Sequence, residues 1–305
     1  MRTRPLGATG ITVSELGFGC ASWWGKPQFN EEAAVKLVQT AVDLGITFFD
    51  TGASYAGGAA EPRLGRALKG LDRRKLVIAS KAGTVARGGR VERDFSPDAL
   101  AASVERSLEA LELDWLDVLQ LHGPAAAELT PAVLGALVRL KTRGLVRALG
   151  VNSFDPAVIQ HVLALDEIDV VMLDYNVLRP EREGLIARAG RAGKGVLAGM
   201  PLAMGHTASA LGRLRGPQDV WYAARGFARH REELRRGAHF RFLHEQRDIS
   251  GAQAGLAYVL ANPRVACAVF GTTRLPHLRE NVAASGLSLP PALIARIRAA
   301  QSLLG

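Results

Sequence analysis

Asp50, Tyr55, Lys81 and His122 stand at or just past the ends of short apolar runs: FFD leading into Thr51-Gly52-Ala53-Ser54-Tyr55, LVIASK within ASKAG, and DVLQLH within LQLHGP. A tyrosine, with an unperturbed pKa of about 10, is a poor proton source or sink near neutral pH. An ammonium beside it favours the phenolate, and a carboxylate behind the ammonium holds that charge in place. The trio therefore predicts a Tyr55 whose pKa is drawn down far enough to serve as general acid or base. His122 at the same rim would hold a substrate oxygen without taking its proton. Taken singly, each residue has a plainer reading: an aspartate after a strand is a cap, a loop tyrosine packs, a strand-end lysine is solvated. The combination points to proton transfer, and no nucleophile elbow, phosphate loop or metal-ligand cluster competes with it. Cys20 and Cys267 lie far apart with no CxxC, so neither a disulfide nor a metal site is expected, and both read as buried small residues.

Groups at strand ends need a sheet that brings those ends together. The strand candidates are 15–19, 47–50, 76–81, 117–122, 146–151, 170–174, 195–200 and 265–270, all short and apolar. Amphipathic stretches alternate with them: 30–44, 96–111, 131–142, 156–163 and 182–192. Ser96-Pro97 and Asp155-Pro156 are start signals, and Gly45, Gly144 and Gly193 are stop signals. Eight buried-looking strands, each followed by a helix, predict an α/β fold of the (β/α)8 (TIM) barrel type; a doubly wound sheet is the alternative. Residues 1–305 read as one such barrel domain. Residues 1–13, with glycines at 7 and 10, predict a hairpin over the barrel bottom. Residues 203–250 predict a long rim loop after strand seven, helical around Val220 to Arg236.

The 305 residues are 48% hydrophobic and 22% charged, which excludes disordered and fibrous classes. No apolar run suggests a signal peptide or a membrane span, and a cytoplasmic protein is expected. The net charge of +9 rests on 31 arginines against 7 lysines. Seven arginines and three histidines fall between Arg225 and Arg247, interrupted by Glu232, Glu233, Glu245 and Asp248. That run reads first as a solvated helix face, and second as a lid drawing in phosphates or an anionic substrate. Nucleic-acid binding is a third reading, which charge alone does not support.

At this point the chain resembles the aldo-keto reductases. Asp50-x4-Tyr55, Lys81 and His122 match that family's catalytic tetrad. Gly150-Val151-Asn152-Ser153-Phe154, Pro201-Leu202, Gly271-Thr272-Thr273-Arg274 and Glu280-Asn281 match further motifs, so the likeness covers nearly the whole chain. It implies an NADPH-dependent (less often NADH-dependent) oxidoreductase passing hydride between nicotinamide and an aldehyde, ketone or sugar carbonyl, with Tyr55 as general acid/base and His122 placing the oxygen. It also implies cofactor contacts from Ser22, Asp50, Asn152, Ser153, Met172, Pro201, Leu202, Gly271, Thr272, Thr273, Arg274, His277, Glu280 and Asn281. Arg274 offers a planar fork suited to a 2′-phosphate, which favours NADPH. Three departures stand out: the Asn152-Ser153 order is inverted, Met172 stands where the family has glutamine, and Gly199 where it has an aromatic ring. They keep open an alternative, a nucleotide-binding regulatory barrel with little turnover, similar to potassium-channel β subunits. Tyr175, Met200 or the long loop is expected to cover the cofactor ring. Trp23 and Trp24 are expected substrate-pocket walls beside Tyr55 and His122, core packing being their alternative, and Trp221 and Tyr222 are further candidates.

Overall fold

The computed structural model describes residues 1–207 and 231–304. Its centre is a closed barrel of eight parallel strands. In chain order these are β3 (Leu16–Gly19), β4 (Phe48–Asp50), β5 (Val77–Ala82), β8 (Leu116–His122), β9 (Val146–Asn152), β10 (Val170–Asp174), β11 (Gly195–Gly199) and β12 (Cys267–Phe270), with β12 closing onto β3. The strands are nearly continuous apolar runs because each is buried on both faces, by the barrel interior and by the helical layer. Alternation then sends every second side chain inward. Phe48, Val77, Ala79, Val118, Val170, Met172 and Leu197 fill the interior as one cluster, together with Leu6, Ile11 and Val13 from the N-terminus. The expected bottom hairpin is the antiparallel pair β1 (Thr3–Pro5) and β2 (Thr12–Ser14), whose apolar residues plug the barrel.

The helical layer follows the expected start and stop signals closely. Helices α1 (Glu31–Asp43), α2 (Ala60–Leu68), α3 (Pro97–Leu111), α4 (Pro131–Thr142), α5 (Pro156–Val162) and α6 (Glu183–Arg191) lie between strands. Asp155 caps α5 by accepting from the Ala157 amide at 2.8 Å, whereas Ser96 makes no side-chain cap bond. Gly45, Gly144 and Gly193 all carry positive φ past their helices. After the long loop come α7 (Arg231–Ala238), α8 (Gly251–Leu260), α9 (Leu275–Val282) and α10 (Pro291–Gln301). The helix expected over 220–236 is described only from Arg231; Trp221 and Tyr222 lie outside the described residues.

One element was not anticipated. Immediately after β5, the strands β6 (Thr84–Arg87) and β7 (Arg90–Arg93) form a second antiparallel hairpin, with Arg87 opposite Arg90 across Gly88-Gly89. Both turn glycines have positive φ, 54° and 76°, as a two-residue hairpin turn matched to strand twist requires. The hairpin stands over the rim on which the candidate residues converge.

Candidate active site

Register places the polar residues. Gly19 pairs with Asp50, Lys81 with Gln120, His122 with Asn152 and Asn152 with Met172, so these positions share the inward face at the C-terminal mouth of the barrel. Lys81 Nζ donates to Asp50 Oδ2 at 2.5 Å and to the Thr51 carbonyl at 2.9 Å. Both side chains are essentially buried. The second carboxylate oxygen, Oδ1, accepts from Gln120 Nε2 at 3.0 Å. Gln120 is itself fully buried, and its Oε1 has no hydrogen-bond partner among the described residues. Burial pulls the Lys81 ammonium down, but the Asp50 charge, with help from Tyr55, outweighs it, and the pKa lies above the ordinary lysine value. Lys81 is therefore a cation throughout the physiological range. Removing one member of such a buried pair strands the other charge, at a cost of about 3–5 kcal/mol.

Tyr55 follows β4 on a short loop, and Lys81 Nζ lies 4.8 Å from the centre of its ring. The His122 ring meets it edge-on, with centroids 5.6 Å apart. The expectation that Lys81 would draw the Tyr55 pKa below 10 is corrected here. Burial pushes the phenol up more strongly than the Lys81 charge pulls it down, and Asp50 adds to the rise, so the net direction is upward. Burial, then the charges of Lys81 and Arg93, drives the His122 pKa down to about 4. The imidazole is thus neutral at neutral pH. Its Nδ1 lies 2.8 Å from the Thr84 hydroxyl, which in turn lies 3.0 Å from the Ser54 hydroxyl. A protonated phenol beside a neutral, oriented imidazole and a fixed ammonium suits proton donation to a developing alkoxide.

Four of the expected residues are thus brought together, and Gln120, Thr84 and Ser54 join them. Gln120 was open to detection, since it sits two residues before His122 in Leu-Gln-Leu-His and alternation puts it on the same face.

The remaining candidates are spread around the rim. Asn152 and Ser153 are buried at the end of β9; the Ser153 hydroxyl accepts from the Asp155 amide at 3.2 Å, while the Asn152 side chain makes no hydrogen bond among the described residues. Met172 is buried inside the barrel with its terminal methyl beside Gly199, where the Phe154 ring also approaches. Tyr175 is buried, with its ring packed against Tyr258 and its hydroxyl donating to Glu183 at 3.1 Å, so it faces the helical layer and is not placed to cover a cofactor ring. Ser22 is exposed after β3 with φ of 57°, and Pro201 and Leu202 follow β11. Past β12, Gly271, Thr272, Thr273 and Arg274 form the turn into α9, with the Thr272 hydroxyl accepting from the Arg274 amide at 3.2 Å. His277 is exposed, and Glu280 and Asn281 lie on α9, Asn281 buried. Trp23 is half-buried at the rim. Trp24 is corrected: its ring is 1% exposed, stacks edge-on against Phe18 and donates to the Ala34 carbonyl, which makes it core and not a pocket wall.

Comparisons with known proteins agree with this geometry. The profile of the Aldo/keto reductase family matches residues 15–302. L-galactose dehydrogenase of Arabidopsis thaliana is 31% identical over 92% of this chain and 87% of its own length. The NADH-specific methylglyoxal reductase of Escherichia coli is 27% identical over 96% of each. A solved aldo-keto reductase from Bacillus halodurans, in its holo form, superposes with a TM-score of 0.81 at 27% identity, over 98% of this chain and 96% of that one. The family profile over nearly the whole chain and the superposed barrel lead to one conclusion: the chain belongs to the aldo/keto reductase family of oxidoreductases.

Proposed function

We propose that the protein is an NADPH-dependent oxidoreductase of small aldehydes, ketones or sugars, with Tyr55 as general acid in reduction and general base in the reverse direction. The observation that carries the reading is the buried Asp50–Lys81 pair beneath Tyr55, with neutral His122 edge-on beside it. The residues at the mouth fit a nicotinamide nucleotide. Asn152, level with His122 in the sheet, has an amide with no hydrogen-bond partner among the described residues. At Gly199 a Cβ would already crowd the Met172 methyl at 3.2 Å and touch the Phe154 ring at 3.5 Å, so these two side chains, and not a residue at 199, form the wall there. When bound, the nicotinamide supplies or accepts the hydride. Asn152, Ser153 and Ser22 would orient its carboxamide end, Pro201 and Leu202 its middle, and Gly271, Thr272, Thr273, Arg274, His277, Glu280 and Asn281 the adenosine end. Met172 cannot bond an amide as a glutamine would; it contributes an apolar wall. Lys81 holds its charge against Tyr55, and Tyr55 gives its hydroxyl proton to the substrate oxygen that His122 positions.

The Escherichia coli relative is named as NADH-specific, so coenzyme choice rests on this chain's Arg274, a planar donor suited to the 2′-phosphate. The named activities of the two relatives support small polar carbonyls and sugars as the first substrates to test, and Trp23 as a wall against their apolar faces.

The test is a fluorescence titration with NADPH and with NADH, followed by a carbonyl panel with each. NADPH should bind at least about tenfold more tightly, with carbonyl-dependent oxidation. Tyr55→Phe should lower kcat by about 10²-fold or more and leave nucleotide affinity unchanged. Arg274→Ala should weaken NADPH about tenfold or more, as loss of a charge-assisted contact implies, and spare NADH. Unchanged turnover in Tyr55→Phe removes Tyr55 from the reaction, and absence of binding by either nucleotide removes the whole reading.

A further inference from the structure

We propose that Thr84, carried by the β6–β7 hairpin, and Ser54, carried by the loop of Tyr55, form a hydroxyl relay that fixes the proton of His122 on Nε2, so that an N–H faces the substrate oxygen. The inference rests on the oxidoreductase reading for the direction of the relay and for its consequence, but not for its contacts.

Three contacts place the relay. The Thr84 hydroxyl is 2.8 Å from His122 Nδ1 and 3.0 Å from the Ser54 hydroxyl, and both hydroxyl residues are buried. Thr84 is held there from two sides. At its start, Gly83 takes φ of 89° with the Phe95 ring packed so closely that a Cβ would lie 2.0 Å from it, which turns β6 away from the barrel wall and over the mouth. At its partner strand, Thr84 pairs with Arg93, whose guanidinium donates to the Gly123 carbonyl at 2.9 Å and to Glu128 at 2.8 Å. Gly123 directly follows His122, so the hairpin is clamped to the strand whose imidazole it contacts. Between the hairpin and the Tyr55 loop lies a cavity of about 170 Å³, lined by Ser54 and Gly57 on one side and Ala86, Gly88, Arg90 and Val91 on the other.

The direction of the relay follows from what surrounds it. Lys81 and Arg93 place two cations around His122, with Tyr55 edge-on and Asp50 screened behind Lys81, so the ring carries one proton and not two. A neutral imidazole has one donor and one acceptor nitrogen. With Nδ1 engaged by Thr84, Nε2 is the nitrogen left for substrate, and a carbonyl oxygen requires a donor there. When Nδ1 is the acceptor, the Thr84 hydroxyl donates its hydrogen bond to it, and the Ser54 hydroxyl can donate in turn to the Thr84 oxygen. Each bond polarises the next. Thr84 and Ser54 are positioning residues: neither touches substrate.

Two readouts test this. The first needs no turnover: ¹⁵N NMR of His122 in the intact protein. The relay predicts a protonated Nε2 and a hydrogen-bonded, bare Nδ1 in the wild type. The Nδ1 signal should move downfield toward a free imine nitrogen in Thr84→Val and stay in place in Thr84→Ser. The second is kinetic: Thr84→Val should lower kcat/KM for carbonyl reduction about tenfold with nucleotide affinity unchanged, Thr84→Ser should restore it, and Ser54→Ala should fall between. A protonated Nδ1 in the wild type, or an Nδ1 signal unmoved by Thr84→Val, overturns the relay. If no carbonyl in the panel is turned over, the oxidoreductase reading fails alone, and the NMR arm still decides the relay.

Discussion

Burial and fixed charge set opposite titrations on Tyr55 and His122, the two groups proposed to face a substrate. The Tyr55 phenol is raised by burial, partly offset by Lys81, and the His122 imidazole is lowered to about 4 by burial and by the charges of Lys81 and Arg93. The signs give a specific pH dependence. In the proposed reaction, reduction needs the protonated phenol, which is present below its raised pKa and lost as pH rises through it. Oxidation of an alcohol needs the phenolate and climbs over the same range. His122 is neutral above about pH 4 and gains a charge only below it. We expect kcat/KM for reduction to be level from about pH 5 to about pH 9 and to fall only toward alkaline pH, while kcat/KM for oxidation rises there. A steady-state profile in both directions checks this. An inflection near pH 6.5 that vanishes in His122→Asn would show that the imidazole is not held neutral. At this scale the sequence was informative where strand ends advertise themselves. Asp50, Lys81 and His122 close apolar runs, and Tyr55 lies five residues beyond Asp50. The direction of the Tyr55 shift was not legible, because the depth of the phenol depends on how the loop folds over the mouth. Thr84 was missed because it follows Gly83, where the chain turns out of the wall.

Elements were read well where one rule governs them. Each barrel strand is apolar because it is buried twice, and the observed bounds differ from the expected ones by at most two residues. The β6–β7 hairpin obeys a different rule. Thr84-Val85-Ala86-Arg87 and Arg90-Val91-Glu92-Arg93 are short and largely polar, and their signal was Gly88-Gly89 between two valine-bearing runs. That signal is weak beside those of the barrel strands, because an exposed ribbon has none of their hydrophobicity. Helix ends carry a testable case of local strain. α3 stops at Glu112, which takes a left-handed conformation, φ 55° and ψ 48°, with its amide donating to the Glu109 carbonyl at 3.1 Å. Glycine adopts that conformation freely, whereas a side chain costs about 1 kcal/mol. The Glu112–Lys69 pair is exposed on both sides and contributes little. Glu112→Gly should therefore stabilise the fold by about 0.5–1 kcal/mol, raising Tm by about 1–3 °C, with kcat/KM unaltered. A thermal melt reads the shift, and a lowered Tm would mean that the surface pair outweighs the backbone strain.

At the scale of the molecule, the barrel separates its two ends by task. The mouth carries the charges and the backbone strain: Ser22, Ala56, Met200, Ala203 and Met204 all take positive φ there. The bottom is closed by an apolar plug that an ion pair holds in place. The hairpin expected there from glycines 7 and 10 is joined to late parts of the chain. Arg4 donates to the carbonyls of Leu260 at 2.8 Å and Val265 at 2.9 Å and pairs with buried Glu15, which in turn accepts from Ser285 and from the Gly286 amide. This long-range closure was invisible to a reading by periodicity, since nothing in Arg4 or Glu15 points 250 residues ahead. Its consequence is that stability and chemistry should respond to different substitutions. Leu6 is 0% exposed and sits against Gly195 at the foot of β11, so near that a Cβ there would lie 2.7 Å from its Cδ1. Truncating it leaves a cavity that surrounding backbone cannot fill, and a buried leucine lost in this way costs about 2–5 kcal/mol. Leu6→Ala should therefore lower Tm by several degrees, while the folded fraction keeps nucleotide affinity and kcat/KM within about twofold of the wild type, because the mouth is a full barrel length away. Measured below the melting range, a loss of kcat/KM as large as that of Thr84→Val would show that the plug shapes the mouth, and that the two ends are coupled through the packed interior between them.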